Sequence, residues 1–308
     1  MKILFTGASS FTGFWFVKAL AAASHEIVCP VTGNLVDYAD IRLWRVEQLK
    51  SVCRLVPQAP FGSENFLKII RENRFDVLCH HAAESRNYKS PDFDALRALQ
   101  NNTANLRAVL TTLKPRGLKA ICLTGSVSEP DEGAGDEPLR AFSPYGLSKG
   151  LTFQFFRYYC HETGVALGKF VIPNPFGPLE EPRLTAYLMR TWREGKPVEI
   201  KTPEYVRDNI HVDLLAAVYC QFVQRFGEPK TGFIKTNPSG YISKQGEFAQ
   251  RVAQETRTRV NWTCELKLAQ QEDFSEPLNR VNTEPANKLV PDWNEKAAWD
   301  AFVGFYAQ

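Results

Sequence analysis

Residues 2–13 of the chain read KILFTGASSFTG, and this stretch predicts how the fold begins. Residues 2–5 are typical of a short apolar strand, and the apolar spacing over 11–23 predicts a helix after a turn rich in glycine and serine. Such a turn lets backbone N–H groups approach a pyrophosphate, because the N-terminus of a helix favours anions. The motif alone is weak, since an ordinary strand–turn–helix has a similar sequence.

Strands and helices alternate along the first half of the sequence. Further strands are predicted at 26–31, 52–56, 76–82, 120–123 and 165–172, and further helices at 66–73, 96–113 and 144–162. Several of the strands are apolar throughout, which is typical of a parallel sheet covered by helices on both faces. The sequence therefore predicts an α/β fold with a doubly wound parallel sheet of the Rossmann type.

The character of the sequence changes after residue 172. Prolines become frequent and the alternation fades, which indicates a smaller substrate-binding lobe over 173–308. We therefore predict a dinucleotide-binding Rossmann domain over 1–172. We also expect 205–236 to return to its sheet, through a strand at 230–236.

Composition and charge limit the classes of function. The 308 residues are 44% hydrophobic and 23% charged, as in ordinary soluble globular proteins. A net charge of +3 is too weak to predict nucleic acid or membrane partners. The seven cysteines are scattered, which favours a reducing compartment, and the predicted location is the cytoplasm. No histidine has a partner at metal-ligand spacing, so no metal site is predicted.

A second stretch, SPYGLSK at 143–149, carries residues suited to proton transfer. Tyr145 and Lys149 are four residues apart and so share one face of the predicted helix. An ammonium beside a phenol favours the phenolate and lowers a pKa that is ordinarily about 10. Ser126, after the fifth strand, can hold a substrate oxygen while the tyrosine gives or takes its proton. Together with the dinucleotide turn, these residues predict hydride-transfer chemistry.

The set of motifs resembles the extended short-chain dehydrogenase/reductase family, in the branch that modifies nucleotide-activated sugars. The resemblance covers nearly the whole chain and rests on the two stretches above, on Ser126, and on His81-Ala82-Ala83, Asn102, NPFGP at 174–178 and RDNIHVD at 207–213. It implies that Tyr145 is the general acid/base and that Ser126 orients the sugar oxygen. It also implies that Lys149 lowers the tyrosine pKa and hydrogen-bonds the nicotinamide ribose.

The resemblance also assigns binding residues. Those predicted to hold the cofactor are Gly7, Ser9, Ser10, Phe11, Thr12, Gly13, Thr32, Arg42, Ala82, Ala83, Tyr145 and Lys149. Ser10 stands where a glycine is expected, and serine can still donate from its backbone and hydroxyl. Asn174 and Arg207 are predicted to contact the substrate's diphosphate, although a local salt bridge is the alternative for Arg207 and its neighbour Asp208. Asn102 is interpreted as structural or as part of a proton relay.

The residues after the second strand bear on cofactor choice. An acidic residue there would hydrogen-bond the adenosine ribose 2′-OH and repel a 2′-phosphate. The sequence has VTGN at 31–34 and no carboxylate before Asp37, whereas Arg42 and Arg45 follow within reach of a phosphate. A solvated helix face is the alternative interpretation of the two arginines. We predict NADP as the cofactor, with NAD as the alternative.

The residues after Ser126 bear on the reaction. By the resemblance, members that dehydrate sugars carry an Asp-Glu pair there, because elimination needs its own acid and base. This chain has Val127 and Ser128, so a 4,6-dehydratase is not expected. We predict reduction of a 4-keto nucleotide-diphosphate-sugar. The alternatives are a 4-epimerase with tightly bound NAD, a reductase of small hydrophobic ketones, and a non-catalytic regulator that senses the dinucleotide.

An aromatic run follows Lys149 on the same predicted helix, with Phe153, Phe155, Phe156, Tyr158 and Tyr159. It is too rich in aromatic residues for a free surface. We predict that some of these side chains lie in the core and that others form a homodimer seam with the 96–113 helix.

Overall fold

The structure is a computed structural model that describes residues 1–227 and 232–308. Its strands are β1 (Lys2–Thr6), β2 (Glu26–Pro30), β3 (Arg54–Val56), β4 (Val77–His80), β5 (Ala120–Ser126), β6 (Ala134–Gly135), β7 (Ala166–Ile172), β8 (Asn174–Phe176), β9 (Val198–Ile200), β10 (Val206–His211), β11 (Phe233–Thr236), β12 (Pro238–Ser239), β13 (Tyr241–Lys244), β14 (Leu266–Leu268), β15 (Asn279–Val281) and β16 (Glu284–Pro285). Its α-helices are α1 (Phe11–Ala22), α2 (Asp40–Leu49), α3 (Glu64–Glu72), α4 (Ala95–Asn102), α5 (Leu106–Leu113), α6 (Pro144–Thr163), α7 (Leu184–Arg193), α8 (Val212–Gln224), α9 (Gln245–Arg257), α10 (Ala286–Leu289) and α11 (Glu295–Ala307). None of the described helices combines the length and the apolar character needed to cross a lipid bilayer.

Seven strands form one parallel sheet in the order β11-β7-β5-β4-β1-β2-β3. From β1 the strand order runs outward through β2 and β3 on one side and through β4, β5 and β7 on the other. The order therefore reverses between β1 and β4, and ligands of such sheets bind at this point, beyond the carboxyl ends of the strands. The parallel sheet confirms the predicted α/β doubly wound class.

Helices cover both faces of the parallel sheet. On one face, Phe66 of α3 and Phe156 of α6 are buried in a core that also contains side chains of α5. On the other face, Phe16 of α1 stacks on Tyr219 of α8 with 4.0 Å between ring centroids. Phe170 of β7 meets the same tyrosine edge-on. Large aromatic side chains thus provide much of the buried apolar area on this face.

The chain divides into two compact units. The first comprises residues 1–132, 140–172 and 216–236, and the second comprises 133–139, 173–215 and 237–308. Within the predicted return at 205–236, β11 pairs with β7 in the parallel sheet, whereas β10 pairs with β13, β15 and β8 in a mixed sheet. Residues 230 and 231 of the predicted strand lie outside the described residues.

The helix predicted over 96–113 is wrong in one respect, because the structure has two helices there. α4 ends at Asn102 and α5 begins at Leu106, and Asn105 between them has a φ of 49°. Asparagine tolerates this left-handed conformation better than most residues do. The Asn105 side chain also donates to the backbone oxygen of Gly62 at 2.8 Å. The apolar spacing continues through the break, so periodicity alone does not detect it.

The second unit has its own aromatic core, and a buried carboxyl group lies beside it. Tyr306, a member of that core, donates to Glu180 Oε1 at 3.2 Å, and Thr185 Oγ1 donates to the same oxygen at 2.5 Å. Burial raises the pKa of Glu180 from about 4.5 to about 8. The carboxyl group is therefore protonated in the folded protein at neutral pH.

Glu180→Gln is expected to remove part of the pH dependence of stability. Because the folded pKa exceeds the unfolded one, this carboxyl stabilises the fold fully below about pH 4.5, and the contribution is lost as the pH rises through about 8. At pH 9 the variant should be more stable than wild type by on the order of 3–5 kcal/mol, and at pH 4 the two should nearly agree. Urea unfolding at several pH values measures the difference. Glu199→Gln, on an exposed site of β9, is the control and should leave the pH dependence unchanged. An unaltered pH dependence in Glu180→Gln would contradict the prediction.

Candidate active site

The turn between β1 and α1 packs so tightly against neighbouring backbone that a side chain would not fit at two of its positions, Gly7 and Gly13. Gly7 has a φ of +82°, and a Cβ there would lie 2.7 Å from the backbone nitrogen of Ala82. A Cβ at Gly13 would overlap the carbonyl oxygen of Gly7. The backbone of the turn therefore lies against the end of β4, at the N-terminus of α1. This cradle fits the pyrophosphate of a dinucleotide, which backbone N–H groups at a helix N-terminus attract.

Ser10 is the N-cap of α1, and its hydroxyl is engaged inside the turn. Its Oγ accepts from the N–H of Gly13 at 3.1 Å and donates to the oxygen of Gly7 at 2.8 Å. The N–H of Ser10 also donates to Gly7 O, at 3.1 Å. The role of Ser10 as a phosphate donor stays a prediction, but its polar groups already serve to hold the turn. Phe11 and Thr12 form the first turn of the helix and are buried.

His81 connects this turn to the neighbouring strands. Its Nε2 lies 3.0 Å from Thr12 Oγ1, and its Nδ1 lies 3.0 Å from Thr124 Oγ1. Burial, together with the positive charge of Lys149, lowers the pKa of His81 to about 3, so the ring stays neutral. Ala82 and Ala83 follow it at the half-buried edge of the sheet. Across residues 1–227 and 232–308, no group of three or more His, Cys, Asp and Glu side chains is placed to hold a metal ion.

Arg42 of α2 reaches back to the same turn. Its Nε and Nη2 donate to Ser9 Oγ at 3.2 and 2.9 Å, and its guanidinium lies 5.2 Å from the centre of the Tyr38 ring. Arg42 and Thr32 are exposed, whereas Arg45 is fully buried in the core. Of the two arginines suggested by the sequence, Arg42 is therefore the one placed to meet a ligand of the turn.

Ser126 ends β5, and its hydroxyl is held by the loop that follows. Ser126 Oγ accepts from the N–H of Ser128 at 3.2 Å and lies 2.9 Å from Ser128 Oγ. Val127 is buried, and its N–H donates to the oxygen of Ile172 at 3.0 Å. The Val127 side chain therefore packs inward and has no proton to offer a substrate.

The first turn of α6 approaches this serine loop because of a glycine. Ser143 caps the helix by accepting from the N–H of Gly146 at 3.3 Å, and Pro144 occupies the first helical position, which suits its fixed φ. A Cβ at Gly146 would overlap the carbonyl oxygen of Ser128. The absence of a side chain at this position lets the first turn of α6, which contains Tyr145, pack against the loop that follows Ser126.

Lys149 lies one turn further along α6 and is buried. Its Nζ donates to the backbone oxygen of Thr124 at 2.5 Å. Burial lowers the pKa of Lys149 from 10.5 to about 8, an effect that Glu129 opposes and Lys169 reinforces. The ammonium is therefore charged at neutral pH, next to the end of β5 and on the tyrosine's side of the helix.

Two aromatic side chains that sequence reasoning missed surround Tyr145. The ring centroid of Tyr88 lies 5.4 Å from that of Tyr145, and the centroid of Phe93 lies 5.8 Å away, both in edge-on arrangements. They come from the segment between β4 and α4. Aromatic residues in an irregular segment are a weak signal, and nothing in their spacing relates them to α6.

Asn102, at the end of α4, is a buried connection between elements. Its side chain donates to Thr152 Oγ1 at 3.2 Å and accepts from the N–H of Glu84 at 2.9 Å. Its backbone oxygen lies 3.1 Å from Nε2 of His80. These contacts account for the residue structurally by tying α4 to α6 and β4.

In the second unit, Arg207 on β10 is already heavily bonded. Its Nη2 pairs with Glu276 at 2.8 Å, and its Nη1 donates to the backbone oxygens of Pro277 and Leu278 at 3.0 and 3.2 Å. Asp208 turns instead to backbone N–H groups. Asn174 begins β8, which pairs with β10. The substrate contacts of Asn174 and Arg207 stay predictions, and Arg207 would have to exchange its present partner to bind a diphosphate.

Comparison with known proteins identifies the family. Residues 3–233 match the NAD dependent epimerase/dehydratase family, and the chain therefore belongs to it. The resemblance predicted from the motifs is thereby confirmed at the level of the family.

Solved structures with the same fold span almost the whole chain. UDP-glucose 4-epimerase from Thermotoga maritima, solved with UDP-glucose, is 17% identical with a TM-score of 0.75, and 99% of this chain and 98% of that chain are covered. A mutant UDP-glucuronic acid 4-epimerase from Bacillus cereus, solved with NAD and a fluorinated UDP-glucuronic acid, is 17% identical with a TM-score of 0.77 and 99% coverage of both chains. A dTDP-glucose 4,6-dehydratase from Streptomyces venezuelae, solved with NAD, is 17% identical with a TM-score of 0.73, and 99% and 97% are covered.

Proposed function

We propose that this protein is an NADP-dependent oxidoreductase that reduces a 4-keto sugar carried on a nucleotide diphosphate. The observation that carries the proposal is the Tyr145–Lys149 pair on α6, which Gly146 lets approach the loop that holds Ser126. The glycine cradle at Gly7 supports a dinucleotide as the cofactor, and membership of the epimerase/dehydratase family supports a nucleotide-sugar as the substrate.

The chain's own residues would handle the proton and the sugar oxygen. The nicotinamide, when bound, supplies a hydride to the carbonyl carbon. Tyr145 gives its phenolic proton to the oxygen, which becomes the new hydroxyl, and Ser126 holds that oxygen by a hydrogen bond. The Lys149 ammonium stabilises the phenolate left on Tyr145 until water returns a proton to it. One hydride and one proton are thus added to the ketone.

The surroundings of Ser126 argue against elimination. A dehydratase needs an acid and a base beside the sugar, but Val127 is buried and Ser128 is hydrogen-bonded to Ser126. Glu129 is the next carboxylate in the chain, and it is fully buried and paired with Lys169. A 4-epimerase with tightly bound NAD is the second candidate, because most of the similar solved structures are 4-epimerases.

Binding of the substrate and assembly complete the proposal. We keep Asn174 and Arg207 as the predicted diphosphate contacts, with Arg207 released from Glu276 when the substrate binds. A homodimer is proposed from exposed apolar side chains on α4 and α6. These are Leu96, Leu147, Phe155 and Tyr158, whereas Phe153 and Phe156 of the predicted aromatic run are buried.

Arg42→Ala is expected to reduce the preference for NADP. If the Arg42 guanidinium meets the 2′-phosphate, its removal should raise the dissociation constant for NADPH about tenfold or more, since charge-assisted hydrogen bonds contribute about 1.5–3 kcal/mol. The dissociation constant for NADH should change little. Fluorescence titration of reduced nicotinamide measures both constants. Arg107→Ala, an exposed arginine on α5, is the control. An equal loss of affinity for both cofactors in Arg42→Ala would contradict the assignment.

One assay tests the proposed reaction. The purified protein is mixed with NADPH and a panel of nucleotide-linked 4-keto sugars, and the nicotinamide absorbance is followed. Stoichiometric oxidation with one of the sugars is the expected result. Interconversion of sugars without net oxidation would replace the proposal by the epimerase. Tight cofactor binding without turnover of any sugar would favour the non-catalytic regulator.

A further inference from the structure

A chain of four charged side chains runs, within the first unit, from Glu129 beside the candidate active site to Lys235 at the surface. Lys169 Nζ lies 2.6 Å from Glu129 and 2.7 Å from Glu132, and Lys235 Nζ lies 3.1 Å from Glu132. The side chains of Glu129 and Lys169 are only 1% and 2% exposed, and that of Lys235 is 38% exposed. We call Glu129, Lys169, Glu132 and Lys235 the ion-pair chain.

Burial of charged side chains such as Glu129 and Lys169 is unfavourable in free energy, so their presence needs an explanation. Taking ions out of water costs several kcal/mol each, and apolar residues of similar size often serve stability equally well. Lys169 stands in β7, in register with Lys235 on the adjacent strand β11, and like charges in such a pair repel each other. Glu132 pairs with both of these lysines and so offsets their repulsion, which explains why a carboxylate is buried at position 132. The repulsion between the lysines does not explain why a second carboxylate, that of Glu129, is also buried beside Lys169.

Glu129 also forms two hydrogen bonds with the backbone of Ser126. The N–H of Ser126 donates to Glu129 Oε1 at 2.7 Å, and the N–H of Glu129 donates back to the oxygen of Ser126 at 3.1 Å. The two bonds close a ring around the backbone of Ser126, and Lys169 fixes the far oxygen of the carboxylate. A Cβ at Gly125 would lie 2.7 Å from Lys169 Cε. The absence of a side chain at Gly125 therefore leaves space for the Lys169 side chain beside Glu129.

Glu129 and Lys149 bind the backbone at the end of β5 two residues apart, Glu129 at the N–H of Ser126 and Lys149 at the oxygen of Thr124. The charged groups that act on the Lys149 ammonium are Glu129, which raises the lysine's pKa, and Lys169, which lowers it. His80 and His81 are close enough to be affected by Lys149, but burial lowers the pKa of each imidazole to about 3, so they carry no charge. Glu129 therefore supplies the negative charge that offsets the burial of the ammonium.

We propose that Glu129 is a positioning residue of the active site, which fixes Ser126 through its backbone and places a negative charge near Lys149, while Lys169 anchors it. The inference rests on the proposed function, because it takes Ser126 and Lys149 as parts of the catalytic site. Glu129 itself touches no substrate, since its carboxylate is enclosed by Ser126 and Lys169.

The test compares Glu129→Gln with Glu132→Gln, which removes the same charge one step further from the site. In Glu129→Gln the Lys169 ammonium keeps Glu132 as a partner, so the variant is expected to fold. The first readout is the titration of the Lys149 ε-carbon by NMR with labelled lysine, assigned with Lys149→Arg. Its midpoint, about 8 in the wild type, should fall by about one pH unit in Glu129→Gln and stay in place in Glu132→Gln.

The second readout is the pH profile of NADPH oxidation with the active sugar. The fall of activity on the alkaline side should move to lower pH in Glu129→Gln alone, by the same interval as the NMR midpoint. An unmoved midpoint in Glu129→Gln, or an equal movement in both variants, would overturn the inference. If none of the sugars tested supports NADPH oxidation by the wild type, the proposed function fails. The NMR titration still decides the role of Glu129 in that case.

A third variant covers the case in which Glu129→Gln does not fold. Lys169→Met removes the repelling ammonium and leaves Glu129 with Lys149, and Glu132 with Lys235. The Lys149 midpoint should then rise, which is the opposite sign. A midpoint that falls or stays in place in Lys169→Met would overturn the inference.

Discussion

Tyr145→Phe is expected to lower turnover of the active sugar by about 10²–10⁴-fold, the range typical for loss of a general acid. The phenyl ring keeps the edge-on contacts with Tyr88 and Phe93, so the site should remain packed. Only the proton donor is removed. The dissociation constant for NADPH should therefore change by less than about threefold, and the thermal midpoint should stay close to that of the wild type.

Tyr158→Phe is the matched control for this prediction. Tyr158 lies on the same helix, α6, and its side chain is exposed, so the substitution removes a hydroxyl group away from the candidate site. Steady-state kinetics and cofactor titration on both variants measure the difference. Wild-type turnover in Tyr145→Phe would contradict the assignment of Tyr145 as general acid, whatever the reaction catalysed.

Gly13→Ala is expected to weaken dinucleotide binding by about 10²-fold or more. An added Cβ would overlap the oxygen of Gly7 and lie 2.7 Å from Ser10 Oγ, so α1 would have to move away from the turn. The N–H groups at the N-terminus of α1 would then be displaced from the pyrophosphate that they are proposed to bind. Turnover should fall with cofactor occupancy and should recover in part at saturating NADPH.

Gly304→Ala provides the comparison for Gly13→Ala. A Cβ at Gly304 on α11 meets nothing within 4 Å, and alanine in a helix is more stable than glycine by up to about 1 kcal/mol. This variant should bind NADPH as the wild type does and unfold at an equal or higher temperature. An unchanged dissociation constant in Gly13→Ala would mean that the cradle at the first strand is not the cofactor site.

The parallel sheet was predictable because its signals are local. Apolar runs such as those of β1 and β4 are short and bounded by turn residues, and the alternation with helices follows directly from them. The break at Asn105 was not predictable in the same way. It depends on a hydrogen bond to Gly62, a partner far away in the sequence.

The residues of the candidate site likewise fall into two groups, those with a local sequence signal and those that depend on partners distant in sequence. Tyr145 and Lys149 are found from helical spacing, and Gly7 from its place after a strand. Glu129 and Lys169 are 40 positions apart and meet only because β5 and β7 are neighbours in the sheet. Gly146 did carry a usable signal, since a glycine within the first turn of a helix suggests close approach of another backbone.

The lysine inside β7 also bears on how the sheet assembles. The strand reads ALGKFVI, and a shift of two residues along its neighbour would leave the same face towards the core and most apolar contacts intact. Such a shift would carry the Lys169 ammonium away from both of its carboxylates and leave it stranded in apolar surroundings. The ion pairs of one lysine thus select a single register of β7 among several that the surrounding apolar residues would tolerate.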